Sequence, residues 1–105
     1  MFQVAAAYPG DVVLDVQGET KAYNGLEQDG VGNAAGLEVT YHFCPTCGST
    51  LYWVIAGDPP LVGMAAGNFV EDDLPAPQRE YWVETRHAWV PPFPGAEQFD
   101  QAWHP

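Results

Sequence analysis

Basic residues are nearly absent from this chain, which has only Lys21, Arg79 and Arg86 among its 105 residues. Fourteen acidic residues bring the formal net charge to −11. A field of that sign repels phosphate backbones and anionic lipid, so we expect no nucleic acid and no membrane among the partners. The plain alternative is that the acidic residues only keep the protein soluble.

Long hydrophobic runs are also missing. No stretch approaches the roughly 20 apolar residues that a membrane-spanning helix needs. The first seven residues, from Met1 to Ala7, lack the basic segment of an export signal, and their apolar part is too short. We therefore expect a cytoplasmic location, where two close cysteines more often serve metal or redox chemistry than a structural disulfide.

Long helices are excluded by ten prolines and eleven glycines, which divide the chain into short pieces. A length of 105 residues predicts a single domain, residues 1–105. The pattern predicts an all-β fold of antiparallel sheets, a sandwich or a related architecture with little helix. The predicted strands are Phe2–Ala7, Val12–Val16, Lys21–Tyr23, Leu37–Phe43, Thr50–Ala56, Leu61–Ala66 and Glu80–Arg86, with a loop over 24–36 and a short helix over Ala96–Trp103.

Large aromatic side chains are the predicted core. Aromatic residues on strands pack inside more often than they form a binding cage. In the best alternating strand, Leu37, Val39, Tyr41 and Phe43 share one face. The predicted core residues are Tyr52, Trp53, Phe69, Tyr81, Trp82 and Trp89.

Cysteine is scarce as well, but its two copies lie together in Cys44-Pro45-Thr46-Cys47-Gly48. Two intervening residues let both sulfurs point into one small volume, and the glycine permits a tight turn between two strands. Structural zinc sites use this spacing, with four ligands in a closed tetrahedron. Two alternatives remain open. One is a redox pair, which the strand after Cys47 disfavours because redox pairs of this spacing precede a helix. The other is a pair of cysteines without metal.

Four segments resemble one known family in the order in which they occur. The run from His42 to Trp53 resembles the second cysteine motif of the glutathione-dependent formaldehyde-activating enzymes. The other similar segments are Gly18–Tyr23, Gly67–Phe69 with Asp72 and Asp73, and Arg86–Val90. The similarity extends from about Phe2 to Val90.

The resemblance implies a β-tent fold around a structural zinc. It also implies a carbon–sulfur lyase that joins glutathione to formaldehyde. Cys44 and Cys47 correspond to ligands of the structural zinc. The upstream Cys-x-Cys and Cys-x-x-Cys motifs of the family, which complete that site and hold the catalytic zinc, have no counterpart here, so the catalytic residues are not identified.

The missing thiolates leave two explanations. Either two copies of the chain share one four-sulfur site as a homodimer, or the reading frame begins upstream of Met1 and the other cysteines lie there. His42, His87 and His104 are the remaining nitrogen ligands, each less favoured than an ordinary packed or surface role. Arg86 is the candidate contact for an anionic substrate, with an ion pair to Glu84 or Asp72 as its alternative.

Two functions therefore remain. The first is a lyase of this family that acts on adducts of glutathione or a similar small thiol. The second is a non-catalytic zinc-binding or interaction module that kept the fold and lost the catalytic cysteines. The family order of the motifs favours the first, and the missing cysteines favour the second.

Overall fold

The computed structural model describes residues 4–13, 15–25, 37–70 and 73–101. Within these ranges the regular structure is mostly strand, and no helix reaches seven residues, which confirms the all-β prediction. The chain divides into two compact units, residues 1–72 and 73–105. Among the described residues, no helix has both the length and the apolar character that a membrane crossing demands.

The first unit is built on a five-stranded antiparallel sheet. The strands are Ala5–Pro9 (β1), Lys21–Asn24 (β2), Val39–Phe43 (β3), Thr50–Ile55 (β4) and Leu61–Ala65 (β5). Their spatial order is β1-β5-β4-β3-β2, so that β3, β4 and β5 form consecutive hairpins and β1 pairs with β5. Four predicted strands correspond to β2 to β5, because their β-branched and aromatic residues suit a pleated surface. The predicted strand Phe2–Ala7 overlaps β1 over Ala5–Ala7.

One row of facing residues crosses this sheet. Tyr23 lies opposite Tyr41, Tyr41 opposite Trp53, and Trp53 opposite Gly63. The Tyr41 and Trp53 rings are tilted by 42° with centroids 6.4 Å apart. Gly63 is buried under the indole, and a Cβ at this position would lie 2.2 Å from two atoms of the Trp53 ring. Residue 63 therefore has to be glycine for the indole to lie across β5.

The buried core of the described residues is small. Val39 and Val62 are its hydrophobic members, at 7% and 6% exposure. They lie on opposite faces of the sheet, because Val39 is aligned through Ile55 with Leu61, the residue before Val62. The predicted aromatic core is wrong, because none of its six residues is buried. Tyr52, Trp53 and Phe69 are half-buried, whereas Tyr81, Trp82 and Trp89 are exposed, Trp89 at 77%.

The second unit contains a two-stranded ladder, Arg79–Glu80 (β6) with Glu97–Gln98 (β7). This ladder is parallel, unlike the antiparallel pairing that the sequence predicts. Backbone N–H groups of Glu97 and Phe99 donate to the carbonyls of Gln78 and Glu80, each at 2.9 Å. The amides of the predicted Ala96–Trp103 helix are thus used between strands, and that prediction is wrong in its described part.

Two predicted strands are also wrong. Over Val12–Val16 the described residues form no strand. Instead, a short 3-10 helix, Gly10–Val12, turns the chain after Pro9, with the Gly10 N–H donating to the Pro60 carbonyl at 2.7 Å. Val12 and Val16 are about half exposed, and the described residues of this segment pair with no neighbouring strand that would cover them.

The predicted strand Glu80–Arg86 stops almost where it starts. Trp82 has φ 60° and ψ 37°, a left-handed conformation that ends extended structure, and Val83–Thr85 is a single 3-10 turn. A non-glycine residue in this conformation is uncommon. The pattern of apolar and polar residues therefore gives no sign that the strand ends at Trp82.

Some predictions lie outside the described residues. These are Phe2 and Gln3 of the first predicted strand, Leu14, the loop residues 26–36, Asp72, and the terminal residues 102–105 with His104. The single domain over residues 1–105 and the tent or sandwich arrangement of sheets stay predictions.

Candidate metal centre

The cysteine pair occupies the turn between β3 and β4. The Cys44 N–H donates to the Ser49 carbonyl, and the Gly48 N–H donates to the Cys44 carbonyl, both at 2.9 Å. Gly48 has φ 78°, a left-handed conformation that glycine adopts without strain. The predicted tight turn is therefore present, and closing it places two cysteines and their intervening amides in one short loop.

The two sulfurs have different surroundings. Neither cysteine forms a disulfide; Cys44 is half-buried and Cys47 is exposed. The Cys47 thiol donates to the Ser49 hydroxyl at 3.2 Å. The backbone N–H of Cys47, followed by that of Thr46 and by the Cys47 thiol, lowers the pKa of the Cys44 thiol from 9.0 to about 7, against a small opposing effect of desolvation. The amides of the turn thus stabilise a thiolate on Cys44.

Residues around the turn fix its base. The register of β3 and β4 shifts between His42 and Phe43, so that Phe43 lies opposite Thr50 directly after the turn. Asn68 lies in the short 3-10 helix that follows β5, and its side-chain amide donates to the Thr50 carbonyl at 2.8 Å. A side chain from outside the β3–β4 hairpin is therefore hydrogen-bonded to the first residue of β4, the strand that follows the cysteines.

His42 does not join the cysteines as a ligand group. Its Nδ1 lies 2.9 Å from the Thr20 hydroxyl, and its ring stacks on Tyr52 with centroids 4.4 Å apart. Over residues 4–13, 15–25, 37–70 and 73–101, no group of three or more His, Cys, Asp or Glu side chains could hold a metal ion. The sequence did not predict the contact with Thr20, because it depends on the pairing of β2 with β3.

The other site residues lie in the second unit. His87 stacks on Trp89 with ring centroids 5.4 Å apart and planes 4° apart. The Arg86 guanidinium donates through Nη2 to the Gln98 side-chain oxygen. Glu84 accepts instead from Gln101, at 3.0 Å. The substrate role of Arg86 stays a prediction, and one of its guanidinium nitrogens is already used within its own unit.

A small polar network that the sequence did not predict surrounds Glu80. Its carboxylate accepts from the Gln98 side-chain amide and from the Phe93 backbone N–H. The Gln98 amide, then the Phe93 N–H and the charge of Arg86, lower the pKa of the Glu80 carboxyl. Only the parallel pairing of β6 with β7 brings Glu80 and Gln98 together, and no local sequence signal indicates it.

The donor set of the turn fits part of a zinc site. Zinc in closed protein sites takes thiolate and imidazole ligands, four in number. Cys44 and Cys47 are free thiols within one turn, and backbone amides already favour the thiolate form of Cys44. The pair therefore suits zinc in ligand type and in charge, and supplies two of the four ligands.

Comparison with known proteins bears on the same residues. The sequence model of the family described as glutathione-dependent formaldehyde-activating enzyme matches residues 1–85. The matched range includes the cysteine turn and ends just before the Arg86–Val90 segment. No match was found among curated proteins or among solved structures. Since the match covers 85 of 105 residues, the chain belongs to the glutathione-dependent formaldehyde-activating enzyme family.

Proposed function

We propose that this protein is a zinc-binding module of its family, with Cys44 and Cys47 as metal ligands. The observation that carries the proposal is the β3–β4 turn. Both cysteines are free there, and two backbone amides donate to the Cys44 sulfur. Bound zinc in such a site supplies structural free energy, since the thiolates are cross-linked only in the folded chain.

Zinc content of the purified protein tests this proposal. The protein is purified without chelator and its metal content is measured by elemental analysis, with Cys44→Ser and Cys47→Ser beside it. We expect zinc in the wild type and its loss in both variants, because a serine hydroxyl is a far weaker zinc ligand than a thiolate. Pro45→Ala is the matched control, since it changes the same turn and removes no sulfur. Wild-type protein without zinc after incubation with a zinc salt would contradict the proposal.

Lyase activity is the second candidate, and membership of the family is the observation in its favour. A catalytic zinc needs protein ligands and an open coordination position of its own. The 105 residues contain only Cys44 and Cys47 as thiols, and both are assigned to the turn. Catalysis on adducts of glutathione or a similar small thiol therefore rests on family membership alone, and we propose a cytoplasmic location with either function.

A solution experiment separates the two candidates. Formaldehyde and glutathione are mixed with zinc-loaded protein, and formation of the S-hydroxymethyl adduct is followed by NMR. We expect the rate to equal that without protein. An acceleration that disappears in Arg86→Gln, a variant that removes the candidate anion contact, would favour the lyase and place Arg86 at the substrate.

A further inference from the structure

We propose that the turn between β3 and β4 is a site of reversible modification by low-molecular-weight disulfides, which join Cys44 to Cys47 in a disulfide bond. Both thiols are free in the structure. The proposal goes beyond the function proposed above, because it concerns metal-free protein and needs no bound ion. A redox pair of an oxidoreductase precedes a helix, whereas this pair precedes β4. The turn is therefore the substrate of the exchange, and the protein is not its catalyst.

Proximity of the two sulfurs is the first support. The backbone N–H groups of Thr46 and Cys47 donate to the Cys44 sulfur, and the Cys47 thiol lies within hydrogen-bonding reach of the same atom. A disulfide requires two side chains that approach each other closely from a suitable backbone separation. Since one turn already holds both sulfurs together, the bond requires a rotation of side chains rather than a new arrangement of strands.

The closed backbone of the turn is the second support. The Cys44 N–H donates to the Ser49 carbonyl and the Gly48 N–H donates to the Cys44 carbonyl, both at 2.9 Å. Gly48 has φ 78°, which completes the turn without strain. The folded chain has thus already ordered the segment that the disulfide would close. Joining the sulfurs costs less conformational entropy there than in an unfolded chain, where the same loop must be closed from many conformations.

Access from solvent is the third support. Cys47 is exposed, whereas Cys44 is half-buried. The other exposed residues of the turn are Pro45, Thr46, Gly48 and Ser49. No Asp, Glu, Lys or Arg occurs from Val39 to Gly57, so no neighbouring charge along the hairpin repels a small ionic disulfide. A small disulfide in solution therefore reaches Cys47 with little obstruction.

The reaction is two successive thiol–disulfide exchanges. The Cys47 thiolate attacks one sulfur of the small disulfide, whose sulfur–sulfur bond breaks and whose other half leaves as a thiolate that takes up the proton of Cys47. The Cys44 thiolate then attacks the Cys47 sulfur and displaces the second small thiolate, which takes up the proton of Cys44. In total the turn loses two hydrogens and two electrons, and the small disulfide is reduced to two thiols. Excess small dithiol reverses both exchanges.

Mass spectrometry of metal-free protein tests the proposal. Full-length protein is incubated in chelator with hydroxyethyl disulfide and hydroxyethyl thiol in known ratios, and the species are counted after acid quenching. We expect the native wild type to lose two hydrogens and to recover them with dithiothreitol. Cys44→Ser and Cys47→Ser should each stop at one hydroxyethylthio adduct. A native wild type that carries two adducts, or none and no internal bond, would overturn the proposal. Zinc content is measured separately on reduced protein, so the absence of zinc leaves this result unaffected.

The equilibrium constant of the exchange tests the part played by the turn. We expect the constant for the internal disulfide to be at least about tenfold larger in native protein than in urea, because folding holds the sulfurs together. Gly48→Ala should bring the native constant towards the urea value, since alanine is strained at φ 78°. Gly67→Ala is the matched control. A Cβ meets no atom within 4 Å at either position, and only Gly48 has a positive φ. Equal constants in native protein and in urea would overturn the proposal, as would equal constants for two folded alanine variants.

Discussion

Cys44 differs from an ordinary surface cysteine because of the amides around its sulfur. A thiol with a pKa near 9 is almost wholly protonated at neutral pH, whereas the Cys47 and Thr46 N–H groups bring the pKa of Cys44 to about 7. A metal ion competes with protons for a thiolate. A lower pKa therefore reduces the fraction of the thiol that is protonated at neutral pH and must lose its proton when a metal binds. The amides of the turn thus favour the thiolate form of Cys44, which is the form that a metal ion would bind.

Alkylation of metal-free protein tests this effect at the residue itself. In Cys47→Ser, Cys44 is the only thiol, and the backbone N–H groups of positions 46 and 47 remain. We expect its rate of reaction with iodoacetamide to rise with pH and level off with a midpoint well below 9.0, because the largest cause of the shift is a backbone group. In denaturing urea the midpoint should return to about 9. A native midpoint that equals the urea value would show that the amides do not act on the sulfur.

The cysteine spacing is the part of the site that sequence reasoning predicted well. Two cysteines separated by two residues and followed by glycine indicate a turn, and the structure has that turn with Gly48 at φ 78°. The hydrogen bonds of His42 with Thr20 and of Arg86 with Gln98 were not predictable, because each joins residues at least 12 positions apart. Such contacts depend on which strands pair, and pairing is a property of the whole fold.

At the scale of the elements, the strands of the five-stranded sheet were predicted correctly apart from their bounds, whereas the predicted strands Val12–Val16 and Glu80–Arg86 were wrong. β3, β4 and β5 pair with their sequence neighbours, so local alternation and turn residues are sufficient to identify them. Val12–Val16 is also apolar around Asp15, but its described residues pair with no strand. Glu80–Arg86 is interrupted at Trp82, whose backbone is left-handed. Alternation shows that a segment can be a strand; only a neighbouring strand makes it one.

The contact between Trp53 and Gly63 gives a prediction for the sheet. In Gly63→Ala the new methyl group would meet the indole at 2.2 Å, so the ring or β5 must move. Overfilling of this kind typically lowers the free energy of unfolding by 1–3 kcal/mol, and we expect about 2 kcal/mol in urea denaturation. The Trp53 fluorescence of the native state should change with it.

Gly67→Ala is the matched control for that variant. No atom lies within 4 Å of a Cβ at Gly67, so the same substitution there should leave the free energy of unfolding nearly unchanged. Adding Trp53→Phe to Gly63→Ala should recover part of the loss, because the smaller ring leaves room for the methyl group. Equal stability of the two alanine variants would mean that the indole does not lie over β5 in solution.

At the scale of the whole molecule, the buried core of the described residues is small, so a bound metal or a partner would add substantially to the free energy of unfolding. Val39 and Val62 are the buried hydrophobic side chains among the described residues, while several large aromatic side chains stay exposed. Small domains with limited cores commonly depend on metals, disulfides or association. This chain has no disulfide between its two cysteines, and its cysteine turn suits a metal. The proposed zinc binding would supply one of these kinds of support.

Thermal unfolding with and without zinc tests that view. Free zinc at 100 times its dissociation constant stabilises the folded state by about 2.7 kcal/mol, which corresponds to a rise in Tm of about 10 °C or more for a chain of this length. Cys44→Ser and Cys47→Ser should not respond to zinc. If the ion is shared between two chains, the Tm of the zinc-loaded protein must also rise with protein concentration, because unfolding then releases two chains. A zinc-dependent Tm that is independent of protein concentration would place all ligands in one molecule, and the same Tm with and without zinc would leave the turn without a metal.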